Sequence, residues 1–178
     1  MIFKETKLKG AFIVEPEKRE DGRGFLTRTW CKEEFGLNGI DMDLIQGYIS
    51  HTNKKGTMRG IHYQVKPKAE AKLTRCIKGS IFEVIIDLRK DSPTYKQWEG
   101  FALNASDNKI LFVPEDFAHA ILVLEDDTDF INISSEKFSS EFEGGIKYND
   151  PVFNIKWPIP ITSVSDKDLS WPDFKADK

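Results

Sequence analysis

With 178 residues, the chain has the length of a single domain, numbered 1–178, with enough material to bury a core of its own. Hydrophobic residues make up 39% and charged residues 31% of it, a balance that excludes an intrinsically disordered chain. The net charge of −3 excludes an overall basic field of the kind that gathers nucleic acid.

The chain reads as a series of short strands. Ala11–Val14 is apolar and β-branched. Gly24–Trp30 follows the turn Glu20-Asp21-Gly22-Arg23-Gly24, and Cys31–Phe35 offers one turn of helix. Asp43–Ser50 and Thr57–Gln64 flank Asn53-Lys54-Lys55-Gly56, a hairpin signal. Ala71–Ile77 and Ser80–Leu88, joined through Lys78-Gly79, predict a second hairpin. Lys96–Leu103, Lys109–Val113, Ala118–Leu124 and Asp129–Ser134 continue the pattern, and Ser139–Phe142 suggests another helical turn. Strands recurring about every 8–12 residues predict an all-β sandwich or barrel. The stretch Asp150–Asp173 is rich in proline and carries Trp157 and Trp171, so it is expected to wrap the barrel as an irregular tail. A barrel of this size holds one small ligand.

Cys31 and Cys76 are too few for a disulfide framework and are expected to be reduced thiols. The N-terminus has Lys at positions 4, 7 and 9 and no apolar core of a signal peptide. No run approaches the roughly 18 apolar residues of a membrane span. These features predict a cytoplasmic protein with neither membrane nor nucleic-acid partners.

The most informative segment is Gly56-Thr57-Met58-Arg59-Gly60-Ile61-His62-Tyr63-Gln64, followed by Lys72. Gly56 and His62 fit the spacing of a metal-binding β-barrel motif, and Pro114 to His119 fits its second half. The second imidazole is missing, because Gln64 stands in its place. The chain has only three His, at 51, 62 and 119, and Glu70 is the one carboxylate near the expected position. About three imidazoles and a carboxylate make such a site, so no metal is expected. A lone His beside an Arg and a Lys suits proton abstraction from an anionic substrate. Taken singly, His62 also reads as a core residue, Lys72 as an edge-strand surface residue and Asp168 as a solvated loop carboxylate.

Taken together, these residues resemble the dTDP-4-dehydrorhamnose 3,5-epimerase family, metal-free barrels of the cupin, or jelly-roll, type. The resemblance covers nearly the whole chain. It runs through Asp21-x-Arg23-Gly24-Phe25, Gln46, Ser50, the Gly56–Gln64 segment, Lys72-Leu73, and Asp87-Leu88-Arg89-x-x-Ser92-Pro93-Thr94. It continues in Pro114-x-x-Phe117-Ala118-His119, Asn149-Asp150-Pro151, Ile155-x-Trp157-Pro158 and Ser165-x-x-Asp168-x-x-Trp171-Pro172. It implies a cofactor-free isomerase acting on a nucleoside-diphosphate 4-keto-6-deoxyhexose. In such a sugar the C–H bonds at C3 and C5 flank a ketone, and removing either proton leaves an enolate. By resemblance His62 is the base, Asp168 orients it, and Lys72 stabilises the enolate oxygen. Arg23, Gln46 and Arg59 are expected at the diphosphate and nucleotide, and His119 at the cavity wall. The resemblance further implies a homodimer in which the Asp21–Thr27 region of one copy completes the nucleotide site of the other.

Three departures qualify the match. The family places a second proton-transfer group, a Tyr, where this chain has Asn132; Phe130 and Phe138 nearby lack a hydroxyl, and Asn exchanges no proton near neutral pH. Water, Tyr48 or Tyr63 is then left to act from the other face, or only one centre is inverted. Arg28 stands for a Glu and Tyr48 for an Asn in stretches associated with the nucleotide, which leaves dTDP, CDP, GDP and UDP open. A keto-sugar isomerase and a non-catalytic carbohydrate-binding barrel are the competing readings.

Overall fold

The structure is a computed structural model describing residues 1–175. Two antiparallel sheets face each other. One contains β1 (Ile2–Glu5), β2 (Phe12–Glu15), β10 (Ile110–Val113), β7 (Lys72–Lys78), β12 (Thr128–Ser134) and β5 (Gln46–Thr52), in that spatial order. The other contains β13 (Glu143–Gly145), β6 (Met58–Gln64), β11 (Phe117–Val123), β8 (Ser80–Asp87) and β9 (Trp98–Asn104). A separate hairpin joins β3 (Lys18–Asp21) to β4 (Gly24–Thr27). Two short helices complete the fold, α1 (Lys32–Leu37) and α2 (Asp166–Leu169). This is the all-β barrel expected from the strand spacing, and of the jelly-roll type that the family resemblance implied.

Alternation with period two explains the layers. Cys76, Ile81, Ile85, Leu111, Ile121, Val123 and Phe130, drawn from both sheets, form the core between them. The intervening residues of the five-stranded sheet, Val84, Ile86, Ala118, Ala120 and Leu122, face outward and are covered by the C-terminal tail through Phe153, Ile155, Trp157 and Ile161. On the outside of the six-stranded sheet, Leu73, Ile110 and Phe112 receive Phe35 of α1 with Ile40 and Met42. Each such fully buried side chain contributes about 1.5–3 kcal/mol.

Both hairpins expected from the turn residues are absent. β5 and β6 lie in different sheets, as do β7 and β8. Gly56 (φ +83°) and Gly79 (φ +75°) do reverse the chain, and a Cβ on Gly79 would lie 2.3 Å from Thr128 Oγ1. The reversal carries the strand across to the opposite sheet, because β5 and β7 pair with β12 and β6 and β8 with β11. Residues 139–142 form one hydrogen-bonded turn (Phe142 N–H to Ser139 O, 3.1 Å) instead of a helix. No helix among the described residues is long and apolar enough to cross a membrane.

Candidate active site

A cavity of about 210 Å³ opens between the two sheets. From the five-stranded sheet, β6 supplies Arg59 and His62 and β11 supplies His119. From the six-stranded sheet, β5 supplies Gln46, Tyr48 and Ser50, β7 supplies Lys72, and β12 supplies Asn132 and Ser134. Of the residues expected at a site, seven line this cavity: His62, Lys72, Gln46, Tyr48, Arg59, His119 and Asn132.

Asp168 sits behind the wall and reaches His62. Ser165 caps α2, its Oγ accepting the Asp168 N–H at 3.1 Å, which turns the Asp168 carboxylate toward β6. Its Oδ1 contacts His62 Nε2, and its Oδ2 accepts the Gly60 N–H at 3.3 Å. Burial would raise the Asp168 pKa, but His62, Ser165 and the Gly60 amide outweigh it and hold the carboxyl below its ordinary value. With Nε2 committed to Asp168, Nδ1 is the His62 nitrogen left to take a proton. Trp171 packs edge-on against the same ring, its centroid 6.4 Å away.

Lys72 is buried and held from two sides. Nζ forms an ion pair with Glu70 Oε1 at 2.9 Å and donates to His119 Nε2 at 2.8 Å. His119 Nε2 is therefore an acceptor, and Nδ1 carries the hydrogen that faces Glu83 Oε1 at 2.9 Å. Burial, then the charges of Lys72 and His62, push the His119 pKa well below the ordinary histidine value. Glu83 lies on β8 with no exposure; burial pushes its pKa up to about 8, against Thr74 and Lys72, which lower it. Thr74 Oγ1 bridges Glu83 Oε1 (3.0 Å) and Asn132 Oδ1 (2.6 Å).

Gln64, standing where a second imidazole was looked for, ties two loops together. It accepts the Ser139 N–H (2.6 Å) and donates to Lys68 O (2.9 Å). Among the described residues, no three His, Cys, Asp or Glu side chains converge as a metal-ligand set. Arg59 is anchored by Thr52 Oγ1 and His51 O at 3.1–3.2 Å, and Gln46 Oε1 accepts the Phe138 N–H at 2.8 Å.

Arg23 and Arg28 lie away from the cavity. Arg23 is 90% exposed at the tip of the β3–β4 hairpin and pairs with Asp21 (2.6 Å). Arg28 pairs with Glu34, which also binds the N-terminal amine at 3.0 Å. The connected group Glu83–His119–Lys72–Glu70 and the Trp171 wall escaped sequence reasoning. Lys72, His119, Glu70 and Trp171 were each visible in the sequence, but their connection was not, because they come from separate strands and the tail.

A jelly-roll barrel of two facing sheets, with an oriented imidazole, a buried ammonium and a guanidinium gathered in a cavity between them, is a cupin-type barrel. The family model for dTDP-4-dehydrorhamnose 3,5-epimerase matches residues 5–176. The chain is 36% identical to the dTDP-4-dehydrorhamnose 3,5-epimerase of Shigella flexneri, over 96% of this chain and 94% of that protein. It superposes on the crystal structure of the Bacillus anthracis enzyme, with TDP and PPi bound, at a TM-score of 0.93 and 37% identity, covering 97% of this chain and 99% of that one. A His-to-Asn, Tyr-to-Phe double variant of ChmJ, a 3'-monoepimerase from Streptomyces bikiniensis, in complex with dTDP, matches at a TM-score of 0.87 and 29% identity, covering 94% and 85%. The chain belongs to the dTDP-4-dehydrorhamnose 3,5-epimerase family, and it is an isomerase.

Proposed function

We propose that this enzyme inverts one or both carbons flanking the ketone of a nucleoside-diphosphate 4-keto-6-deoxyhexose. The observation that supports this most is His62 backed by the buried carboxylate of Asp168, in the same cavity as the Lys72 ammonium. His62 Nδ1 takes the proton alpha to the ketone. Asp168 fixes the ring and balances the imidazolium, and Lys72 faces the oxygen on which the enolate charge develops. His119, kept neutral, leaves that ammonium the local positive charge. Arg59 and Gln46, at the mouth, bind the diphosphate. The proton transfers call on no cofactor.

The TDP-bound Bacillus relative makes a dTDP sugar the first substrate to test. Incubation in D2O with dTDP-, CDP-, GDP- and UDP-linked 4-keto-6-deoxyhexoses, followed by NMR, is expected to show deuterium at C3, C5 or both. No exchange with any of them would overturn the reading. The two positions changed in the ChmJ variant are seventy apart, as are His62 and Asn132, which supports Asn132 standing where that 3'-monoepimerase has a Tyr.

The working form is a homodimer in which the β3–β4 hairpin, with Arg23, reaches a neighbour's cavity. Supporting this, Leu26 is 70% and Ile49 66% exposed, on the hairpin and on the outward face of the edge strand β5. Analytical ultracentrifugation returning a monomer would remove Arg23 and Arg28 from the substrate site. We place the enzyme in the cytoplasm.

A further inference from the structure

Inverting a carbon requires a proton to leave one face and another to arrive on the opposite face. His62 and Asp168 occupy the wall formed by the five-stranded sheet. The groups on the facing wall decide what returns the proton. Asn132 has no exchangeable acid and is engaged with Thr74. Lys72 is held by Glu70 and His119. Ser50 and Ser134 are far weaker acids than a phenol. Tyr63 also reaches the cavity, but it lies next to His62 on β6, on the His62 side and not on the facing wall.

Tyr48 remains. It lies on β5, in the sheet opposite His62, and it is the register partner of Asn132 across the β5–β12 pair. Its side chain lines the cavity, and its hydroxyl makes no hydrogen bond to a described residue. We propose that Tyr48 is the acid that protonates the enolate on the face opposite His62, a role that rests on the epimerase reading above.

The step balances without a further reactant. The substrate C–H bond breaks and His62 Nδ1–H forms; the electron pair moves into the enolate, beside Lys72. The Tyr48 O–H bond then breaks and a new C–H bond forms on the other face. The phenolate regains a proton from solvent through the cavity mouth, to which Tyr48 is 41% exposed, and His62 returns its proton to solvent. The rest of the Tyr48 residue is buried. That burial, then the carboxylates of Glu70 and Glu83, push the phenol up to about 12, so it enters the cycle protonated. It is still far more acidic than a C–H beside a ketone.

The test is Tyr48→Phe assayed with dTDP-4-keto-6-deoxyglucose in D2O. His62 still removes and returns the proton on its own face, so deuterium is expected to enter with retention. Inversion is expected to fall about 100-fold or more. A merely structural Tyr would lower exchange and inversion together. Tyr48→Phe that inverts at the wild-type rate overturns the proposal. Should that variant fail to fold, as judged by thermal melting, 3,5-difluorotyrosine at position 48 keeps the ring and the hydroxyl while making the phenol more acidic. An alkaline limb of the inversion rate that moves to lower pH supports the role, and a limb that stays in place overturns it. Wild-type protein inert toward every nucleotide keto-sugar overturns the epimerase reading and this role with it, whereas wild-type inversion unaffected in Tyr48→Phe removes Tyr48 alone.

Discussion

Lys72 Nζ lies 2.8 Å from His119 Nε2, so the imidazole must accept and the ammonium must donate. This direction propagates: His119 is held as the Nδ1–H tautomer and turns its proton toward Glu83. Positive charge is thereby concentrated on Lys72. Lys72→Met keeps the length of the side chain and removes the charge. It is expected to lower kcat by about 10²–10³-fold, the usual effect of losing a preorganised oxyanion donor, with a smaller change in KM. Steady-state kinetics checks it; an unchanged kcat would remove Lys72 from the chemistry.

Asp168→Asn tests the orientation of His62. An amide can donate where the carboxylate only accepts, so it holds the ring in the wrong tautomer and withdraws the balancing charge. A loss in kcat on the order of 10²–10⁴-fold is expected, with substrate binding largely kept. His62→Ala is expected to abolish alpha-proton exchange altogether. Retained exchange in His62→Ala, followed by NMR in D2O, would move the base elsewhere.

The strands were legible as short apolar, β-branched runs bounded by turn residues; along β8 and β11 both faces are buried, Ile81, Ile85 and Ile121 between the sheets and Val84, Ile86, Ala120 and Leu122 under the tail. The two false hairpins show the limit of that signal. Gly56 and Gly79 announce a reversal, but which sheet receives the next strand depends on β11 and β12, which begin 38 or more residues further on. The same distance hid the polar network: Lys72, Glu83 and His119 come from three strands of two sheets. Asp168 was found through its motif, while α2, only four residues long, was read as a plain turn although Ser165-x-x-Asp168 caps it. Tyr48 and Asn132 look unrelated until β5 pairs with β12.

Glu83 makes stability depend on pH in the direction opposite to a salt-bridged carboxylate. Its folded-state pKa, about 8, lies above the ordinary 4.5, so the folded protein binds the proton more tightly than the unfolded chain. This contribution is full below about 4.5 and is lost as the pH rises toward 8. Glu83→Gln keeps a neutral side chain at every pH. The Tm of the variant relative to wild type is therefore expected to rise as the pH is raised through this window. Melting curves at about pH 5 and about pH 9 decide it; a constant difference would show that Glu83 does not titrate there.

Gly60 lies on β6 two residues before His62, within reach of the Asp168 carboxylate, and its backbone needs a residue without a Cβ. Its φ is +102°, and an added Cβ would lie 2.7 Å from His119 O on the paired strand β11. Its N–H also reaches Asp168 Oδ2. The contact is with backbone, so relief requires β6 and β11 to separate beside His62. Gly60→Ala is expected to cost at least about 2 kcal/mol from the strained conformation and this contact together. Urea unfolding should show a lower midpoint with an unchanged slope, because the folded and unfolded surfaces stay the same. Activity should fall by more than the loss of folded protein accounts for, since the strand that moves carries His62. A variant with wild-type midpoint and wild-type kcat would show that β6 and β11 separate there without cost.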